Sequence, residues 1–113
     1  MKRWTLLLTL VFLVAVPVFA ETVTLRGEAL YVSTHQNGEQ FVIMKDGMNE
    51  IQIELAPAAF LAERGIAISS GDSITIIGAR QVVNNSEVVI AREVTKSGKT
   101  IKVRDASGTP LWQ

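Results

Sequence analysis

The sequence has no cysteine, a single histidine and few aromatic residues, which make up 6% of its 113 positions. The lack of cysteine excludes a disulfide framework, a thiol nucleophile, a cysteine-ligated metal and the acylation point of a bacterial lipoprotein. A lone histidine excludes a metal site built from several imidazoles. Basic and acidic residues number 11 each, so the formal net charge is zero. The length allows one small domain.

Residues 1–20 form a pattern typical of a secretory signal peptide. Two basic residues follow the initial methionine, the segment Trp4–Phe19 is almost wholly apolar, and Pro17 interrupts it near its end. Val18 and Ala20 are small residues at the two positions that a signal peptidase reads. The apolar run is shorter than the ~20 residues of a membrane span. We predict cleavage after Ala20, with an uncleaved anchor as the alternative, and hence a periplasmic or secreted bacterial protein.

Cleavage at this point leaves residues 21–113 as a single domain. It removes two of the basic residues, so the formal net charge of the remainder is −2. A domain of this size buries about two thirds of the surface of its unfolded chain, which is enough for one modest core.

Alternating apolar and polar residues predict an all-β domain, because successive side chains of a strand point to opposite faces. Turns rich in glycine and asparagine separate the alternating segments. The predicted strands are residues 22–34, 40–46, 49–55, 73–80 and 86–95, with a short last strand at 100–105. A change of phase after Gly27 predicts a bulge or bend in the first strand.

The period changes between the third and fourth strands. Pro57 stands where a first helical residue is favoured, Ala58–Arg64 are good helix formers, and Gly65 is a natural stop. This segment predicts two helical turns with Phe60 and Leu61 buried. Three strands, a short helix and two strands are the layout of an OB-fold, a five-stranded Greek-key barrel, here with a short C-terminal extension. Another small antiparallel barrel or sandwich is the alternative.

Four stretches resemble small secreted bacterial OB-fold proteins and cover nearly all of residues 21–113. They are Leu55-Ala56-Pro57 with Phe60-Leu61, then Gly71-Asp72-Ser73-Ile74-Thr75-Ile76 with Gly78 and Arg80, then Ile90-Ala91-Arg92-Glu93-Val94, and the ending Lys99–Trp112. The resemblance implies the OB-fold and, by analogy with that fold, a label of nucleic-acid binding. It implies no catalytic residues, and a fold alone does not determine function.

The first candidate surface is the outer face of the second and third strands, where OB-folds bind single strands. A two-residue hairpin loop at Asp46-Gly47 predicts that Lys45 lies opposite Met48. The residues that then point outward are Phe41, Ile43, Lys45, Glu50, Gln52 and Glu54. A three-residue loop would instead bury Phe41 and Ile43. Either way the acidic face of the third strand stays outward, and an acidic surface disfavours nucleic acid, whose phosphates dominate affinity.

The second candidate surface is basic. Five cations fall in the last quarter of the chain, after Arg80: Arg92, Lys96, Lys99, Lys102 and Arg104. Lys102 and Arg104 alternate with apolar residues, so we expect them to share one strand face. One interpretation is a solvated face whose lysines discourage edge pairing. The other is a contact surface for an anionic molecule, a lipid head group or a partner protein, with Arg80, Arg92, Lys102 and Arg104 as ligand-binding residues.

The C-terminal segment Pro110-Leu111-Trp112 is apolar. It predicts that Trp112 docks on the barrel, over Phe41 and Ile43. The alternative is that Trp112 anchors a partner, since tryptophan is enriched in binding hot spots.

No grouping of residues indicates catalysis or a cofactor. His35 lies in a polar turn beside Asn37-Gly38, where a histidine is usually solvated, and no phosphate-binding glycine loop or Ser-His-Asp set stands out. Met44 and Met48 flank a hairpin turn and leave copper as an alternative, although one core and one surface methionine are the simpler expectation.

Together these features predict an exported, non-enzymatic OB-fold binding module of the bacterial cell envelope. Its expected ligand is a protein partner or a small polar or anionic molecule. Single-stranded nucleic-acid binding is the first alternative, and a copper-binding or enzyme-accessory role in the envelope is the second.

Overall fold

The computed structural model describes residues 21–113, so the predicted signal peptide lies outside the described residues. The described chain is all-β with one short helix between the third and fourth strands. The elements are β1 (Glu21–Thr34), β2 (Glu39–Asp46), β3 (Asn49–Pro57), α1 (Ala58–Glu63), β4 (Ser73–Val83), β5 (Ser86–Lys96) and β6 (Lys99–Lys102). The predicted strands agree with this order and differ from it by a few residues at the ends.

The sheet closes into a five-stranded barrel. Its strand order is β3-β2-β1-β4-β5-β6, with antiparallel neighbours, and a parallel pairing of β3 with β5 completes the circle. The seam joins Gln52–Glu54 to Val88–Ile90, while β6 extends the edge of β5. The structure therefore confirms the predicted OB-fold, with its helix between strands 3 and 4 and its C-terminal extension.

The barrel interior is filled by the apolar phase of each strand. In the β2–β3 hairpin the buried side chains include Val42, Met44, Ile51 and Ile53, which alternate with the residues predicted to point outward. Helix α1 covers one end of the barrel with the buried pair Phe60 and Leu61, as the sequence predicts. Pro57 is the last residue of β3 and the N-cap of α1, whereas the sequence predicts it as the first helical residue.

The loop of the β2–β3 hairpin is Gly47-Met48 instead of Asp46-Gly47. Asp46 lies opposite Asn49. Each residue of β2 therefore faces a β3 residue two positions later than expected, and the same side chains still point inward. Gly47 takes a left-handed φ of 65°, which suits the turn. Ile43 is consequently opposite Gln52, and the expected pairing of Lys45 with Met48 is wrong.

Strand β1 serves two neighbours in succession. Its first half pairs with β4 and its second half with β2, and the register shifts between Ala29 and Tyr31. The predicted irregularity is thus present, three residues after Gly27. Gly27 lies at a close approach of two strands, because an added Cβ would lie 3.0 Å from the Lys45 carbonyl oxygen.

A second bulge lies in β5 at Arg92. Ile77 pairs with Glu93 and Gly78 pairs with Ala91, so Arg92 has no partner on β4. The Arg92 carbonyl oxygen instead accepts hydrogen bonds from the backbone N–H groups that begin the C-terminal segment, those of Val103 and Arg104. A bulge re-aims the side chain of its extra residue, and this one determines where the Arg92 guanidinium lies.

The turn before β4 supports a pH-dependent prediction. The Asp72 carboxylate accepts hydrogen bonds from Lys96 Nζ at 2.8 Å and from the Ser69 N–H at 2.7 Å. These two bonds, Lys96 first, hold the pKa of Asp72 below its usual value of 3.8. The carboxylate therefore stabilises the fold above that value, and this contribution is lost as the pH falls through the lower pKa of the folded state. We expect Asp72→Asn to destabilise the protein at neutral pH and to match the wild type in acid, as measured by urea unfolding from pH 7 to pH 2.

The matched control for this prediction is Lys96→Gln, with the double variant. If Lys96 is the main cause, Asp72→Asn has a smaller effect in the Lys96→Gln background. A stability gap between wild type and Asp72→Asn that persists at pH 2 would contradict the prediction.

Candidate functional site

The outer face of β1, β2 and β3 carries two cross-strand rows of side chains. Tyr31 lies opposite Ile43, which lies opposite Gln52. The second row consists of Ser33, Phe41 and Glu54. Residues opposite one another share a face, so these six residues form one surface, here called the β1–β3 face. Tyr31 is 52% exposed on it, and Phe41 and Ile43 are half-buried.

A hydrogen-bonded network fixes one part of the β1–β3 face. The His35 ring stacks on Phe41, with ring centroids 4.4 Å apart and an interplanar angle of 27°. His35 Nε2 lies 2.7 Å from Glu54 Oε1, and Gln52 Nε2 donates to Glu54 Oε2 at 2.6 Å. The network ties the β1–β2 turn to β3. It presents an aromatic stack in a defined position, where the sequence predicts only a solvated histidine.

The surroundings of the β1–β3 face are acidic. Strands β2 and β3 carry the carboxylates Glu39, Asp46, Glu50 and Glu54 and the single cation Lys45. Lys45 lies opposite Glu50, which offsets its charge. The predicted binding residues Phe41, Ile43, Lys45 and Gln52 are thus brought together by the structure, on a surface with aromatic and aliphatic contacts and few cations.

A second surface is a groove of about 400 Å³ between β4–β6 and the C-terminal segment, here called the arginine groove. It brings together three of the predicted basic residues, Arg92, Lys102 and Arg104. Its other lining residues are Ile77, Glu93, Asp105, Ala106 and Leu111. Asp105 Oδ1 accepts bonds from Ser107 Oγ at 2.7 Å, Thr109 N–H at 2.9 Å and Ser107 N–H at 3.0 Å. These bonds, the Ser107 hydroxyl first, hold the pKa of Asp105 below its usual range.

Arg104 does not share the solvent-exposed face of Lys102, which corrects the prediction. Strand β6 ends at Lys102, and Arg104 follows outside the strand with only 6% of its surface exposed. Its Nη1 donates to the Ala91 carbonyl oxygen at 2.6 Å and lies 3.4 Å from the Glu54 carbonyl oxygen. The side chain thereby spans the seam between β5 and β3. Burial lowers the pKa of Arg104, against the opposing charges of Glu39 and Glu54.

Trp112 docks on the barrel, as the sequence predicts, but at a different place. It packs beside Phe60 of α1, with ring centroids 5.8 Å apart, and the Arg104 guanidinium lies 4.9 Å from the centre of its ring. The backbone of Leu111 bonds to Val103, which turns the chain end back toward the barrel. The expectation that Trp112 covers Phe41 and Ile43 is therefore wrong, and those two residues remain available.

Arg80 belongs to neither surface. Its Nε lies 3.0 Å from Glu87 and its Nη1 lies 3.9 Å from Glu21, so its charge is shared with two carboxylates.

The two methionines of the copper alternative lie in different environments, because Met44 is 1% exposed and Met48 is 96% exposed. Within residues 21–113, no group of three or more histidine, cysteine, aspartate or glutamate side chains could hold a metal ion.

The family is established by the sequence over the whole barrel. A model of the MamS/MamX magnetosome protein family matches residues 21–101, which span β1 to β5. The chain belongs to the MamS/MamX magnetosome protein family. The resemblance to small secreted bacterial OB-fold proteins is thus confirmed for the fold and corrected for the family. No curated protein sequence matches this MamS/MamX chain.

Two solved structures share the fold of this MamS/MamX chain. The first is the crystal structure of the Schizosaccharomyces pombe Stn1–Ten1 complex, at 13% identity with a TM-score of 0.54. The second is a replication protein A heterotrimer bound to single-stranded DNA, at 14% identity with a TM-score of 0.50. Each match covers 76% of this chain and 60% of the other. The likeness is therefore one of fold, and this MamS/MamX chain corresponds to about three fifths of the length of each.

In the part of the chain that the structure describes, no helix is long and apolar enough to cross a membrane.

Proposed function

We propose that this MamS/MamX chain is an exported, non-catalytic module that binds a protein partner through its β1–β3 face. The observation that carries the proposal is the combination on that face of Tyr31, Phe41 and Ile43 with an acidic surround. Aromatic and aliphatic anchors inside a polar rim are the composition of a protein-binding surface. The OB-fold neighbours, one a complex of proteins and one a heterotrimer on single-stranded DNA, are consistent with a binding role.

The charge of the face indicates the chemistry of the partner. Four carboxylates and one lysine on β2 and β3 favour a segment that brings lysine or arginine beside its apolar side chains. Such a segment pairs with Glu50 and the Glu54 network while its apolar residues cover Tyr31 and Ile43. The His35–Phe41 stack is already ordered by its contacts with Glu54, so little side-chain entropy is lost when a partner binds.

Single-stranded nucleic acid is a second candidate ligand, favoured by one observation. Tyr31, Phe41 and His35 present rings on the face where OB-folds stack bases. Opposing this, Lys45 is the one cation of β2 and β3, and phosphate contacts supply most of the affinity for nucleic acid.

Two parts of the proposal rest on sequence and on site chemistry. Export rests on the signal-peptide pattern of residues 1–20. A non-catalytic role rests on His35, whose imidazole makes its side-chain hydrogen bond to Glu54, with no nucleophilic hydroxyl bonded to it among residues 21–113. A histidine with no nucleophile bonded to it lacks the arrangement that nucleophilic catalysis requires.

Photo-crosslinking in the native host tests the proposed partner class. A benzophenone amino acid replaces Tyr31 in one variant and Glu63, an exposed residue of α1, in the control. We expect a protein adduct from position 31 alone, and we expect Ile43→Glu to reduce its yield at least about tenfold, since loss of a hot spot costs about 2 kcal/mol or more. The adduct peptide carries lysine or arginine beside apolar residues.

Three outcomes contradict this proposal. One is equal crosslinking from positions 31 and 63, and another is an adduct peptide that is acidic. The third is an amide NMR titration in which a thymidine oligonucleotide shifts Tyr31 and Phe41 at physiological salt, which selects the nucleic-acid candidate.

A further inference from the structure

The arginine groove is a separate site, since it shares no residue with the β1–β3 face. Its floor is a cross-strand row in which Ile77 lies opposite Glu93 and Glu93 lies opposite Lys102. Its wall is the C-terminal segment, which doubles back so that Arg104 bridges to Pro110. The groove is therefore built from three strands and a C-terminal segment that a β-bridge holds in place.

The bulge in β5 places Arg92 in the arginine groove. Arg92 is the extra residue between the pairs Ile77–Glu93 and Gly78–Ala91. Its Nε is shielded from solvent and makes no hydrogen bond within residues 21–113. A shielded donor without an acceptor costs free energy. The bulge and the unpartnered donor together indicate that an acceptor from outside the chain completes this site.

Arg104 adds a second guanidinium whose charge is not neutralised by contact. It is 6% exposed, and its protein partners are the carbonyl oxygens of Ala91 and Glu54. The ion pairs within 4.0 Å in the described chain join His35 to Glu54, Arg80 to Glu21 and Glu87, and Lys96 to Asp72. Glu39 and Glu54 act on Arg104 only through space. A buried charge is costly unless it is paired.

The two carboxylates of the arginine groove are placed differently. Asp105 accepts three hydrogen bonds within its own turn, and Glu93 lies opposite Lys102 across the strands. The three cations and two carboxylates leave a formal charge of +1. Ile77 and Leu111 add apolar walls on either side. A single negative charge on an apolar group matches this lining.

We propose that the arginine groove binds a carboxylate carried on an apolar group, with Arg92 and Arg104 as its two guanidinium donors. A planar guanidinium matches a carboxylate in geometry and charge. Two sources supply this chemistry, namely the carboxyl end of a polypeptide that terminates in an aliphatic residue and a free aliphatic acid.

The test is an NMR titration of the protein with three probes, following backbone amides and arginine Nε–Hε signals. N-acetyl-L-leucine carries the carboxylate and a peptide-like amide, 4-methylpentanoate carries the carboxylate alone, and N-acetyl-L-leucinamide is the uncharged control. We expect both acids to shift Arg92 and Leu111 with a Kd on the order of 1 mM, and we expect the amide to leave them unchanged. Tighter binding of N-acetyl-L-leucine identifies a chain end as the source, and equal binding identifies a free acid.

Arg92→Gln tests the role of the guanidinium with Arg26→Gln as its charge-matched control. We expect Arg92→Gln to weaken binding of both acids by roughly tenfold, and we expect Arg26→Gln, at an exposed arginine of β1 outside both surfaces, to leave it unchanged. Equal shifts from the acids and the amide would overturn the proposal. The proposal would also be overturned if inorganic phosphate competed as well as either acid. The same holds if Arg92→Gln bound both acids as tightly as the wild type, or if neither acid shifted the Arg92 signal. The crosslinking result at Tyr31 is independent of each of these outcomes.

Discussion

Replacement of Gly78 by alanine is expected to destabilise the protein by about 3 kcal/mol or more. An added Cβ would collide with the Ile90 carbonyl oxygen and lie 3.0 Å from Ala91 Cα. Both atoms are backbone, so no rotamer change relieves the contact. The collision falls where β4 meets the bulge of β5, and relief of it requires the two strands to separate. Urea unfolding measures the loss as a lower midpoint at an unchanged slope.

Gly38→Ala is the matched control for this prediction. Gly38 has a left-handed φ of 91° and no atom within 4 Å of an added Cβ. Its replacement therefore costs only the backbone strain of that conformation, about 1 kcal/mol. Equal losses for the two variants would show that the close packing at Gly78 is not what requires glycine there.

The fold was predictable because its signals are local. The strict alternation of Ile51, Ile53 and Leu55 determines which face of β3 is buried. The change to a helical period at Ala58–Glu63 places the helix between strands 3 and 4. Together with strand count, these local patterns are sufficient to indicate the OB layout, since few small all-β folds put a single short helix at that point.

The register and the long-range contacts were not predictable in this way. An alternating pattern has period two, so moving the hairpin loop from Asp46-Gly47 to Gly47-Met48 alters every partner without altering any face. Nothing local distinguishes the two loops. The place where Trp112 docks was not predictable either, because its contact with Phe60 depends on how residues 103–111 fold back on the barrel.

The candidate site was predicted in part for the same reason. Phe41 and Ile43 follow from alternation on β2, whereas Tyr31 is placed beside Ile43 only by the register shift in β1. His35 was expected to be solvated because it lies in a turn, and its partner Glu54 is 19 residues away. An acidic residue on the outward phase of β3 was visible in the sequence. That the turn would bring an imidazole within 2.7 Å of it was not.

Arg104→Ala is expected to destabilise the protein by about 3 kcal/mol. The substitution removes a residue of which only 6% is exposed, and it leaves the Ala91 carbonyl oxygen without the Arg104 donor. It also removes the cation beneath the Trp112 ring, a contact worth about 1 kcal/mol. In a chain that carries Trp4→Phe, Trp112 is the only tryptophan. Its fluorescence is expected to shift to the red in Arg104→Ala, because the ring loses the guanidinium that covers one side of it.

Two further variants separate the causes of this effect. Lys102→Ala removes an exposed cation two residues earlier and is expected to change stability by less than about 0.5 kcal/mol. Arg104→Met keeps much of the buried volume and removes the donor. A loss of stability smaller than that of Arg104→Ala then measures the contribution of the hydrogen bond across the seam of β5 and β3. If Arg104→Met is as stable as the wild type, the guanidinium is not required to close the barrel. Folding alone would then not require an arginine at this position, since a buried cation without a paired anion is replaceable by an apolar side chain.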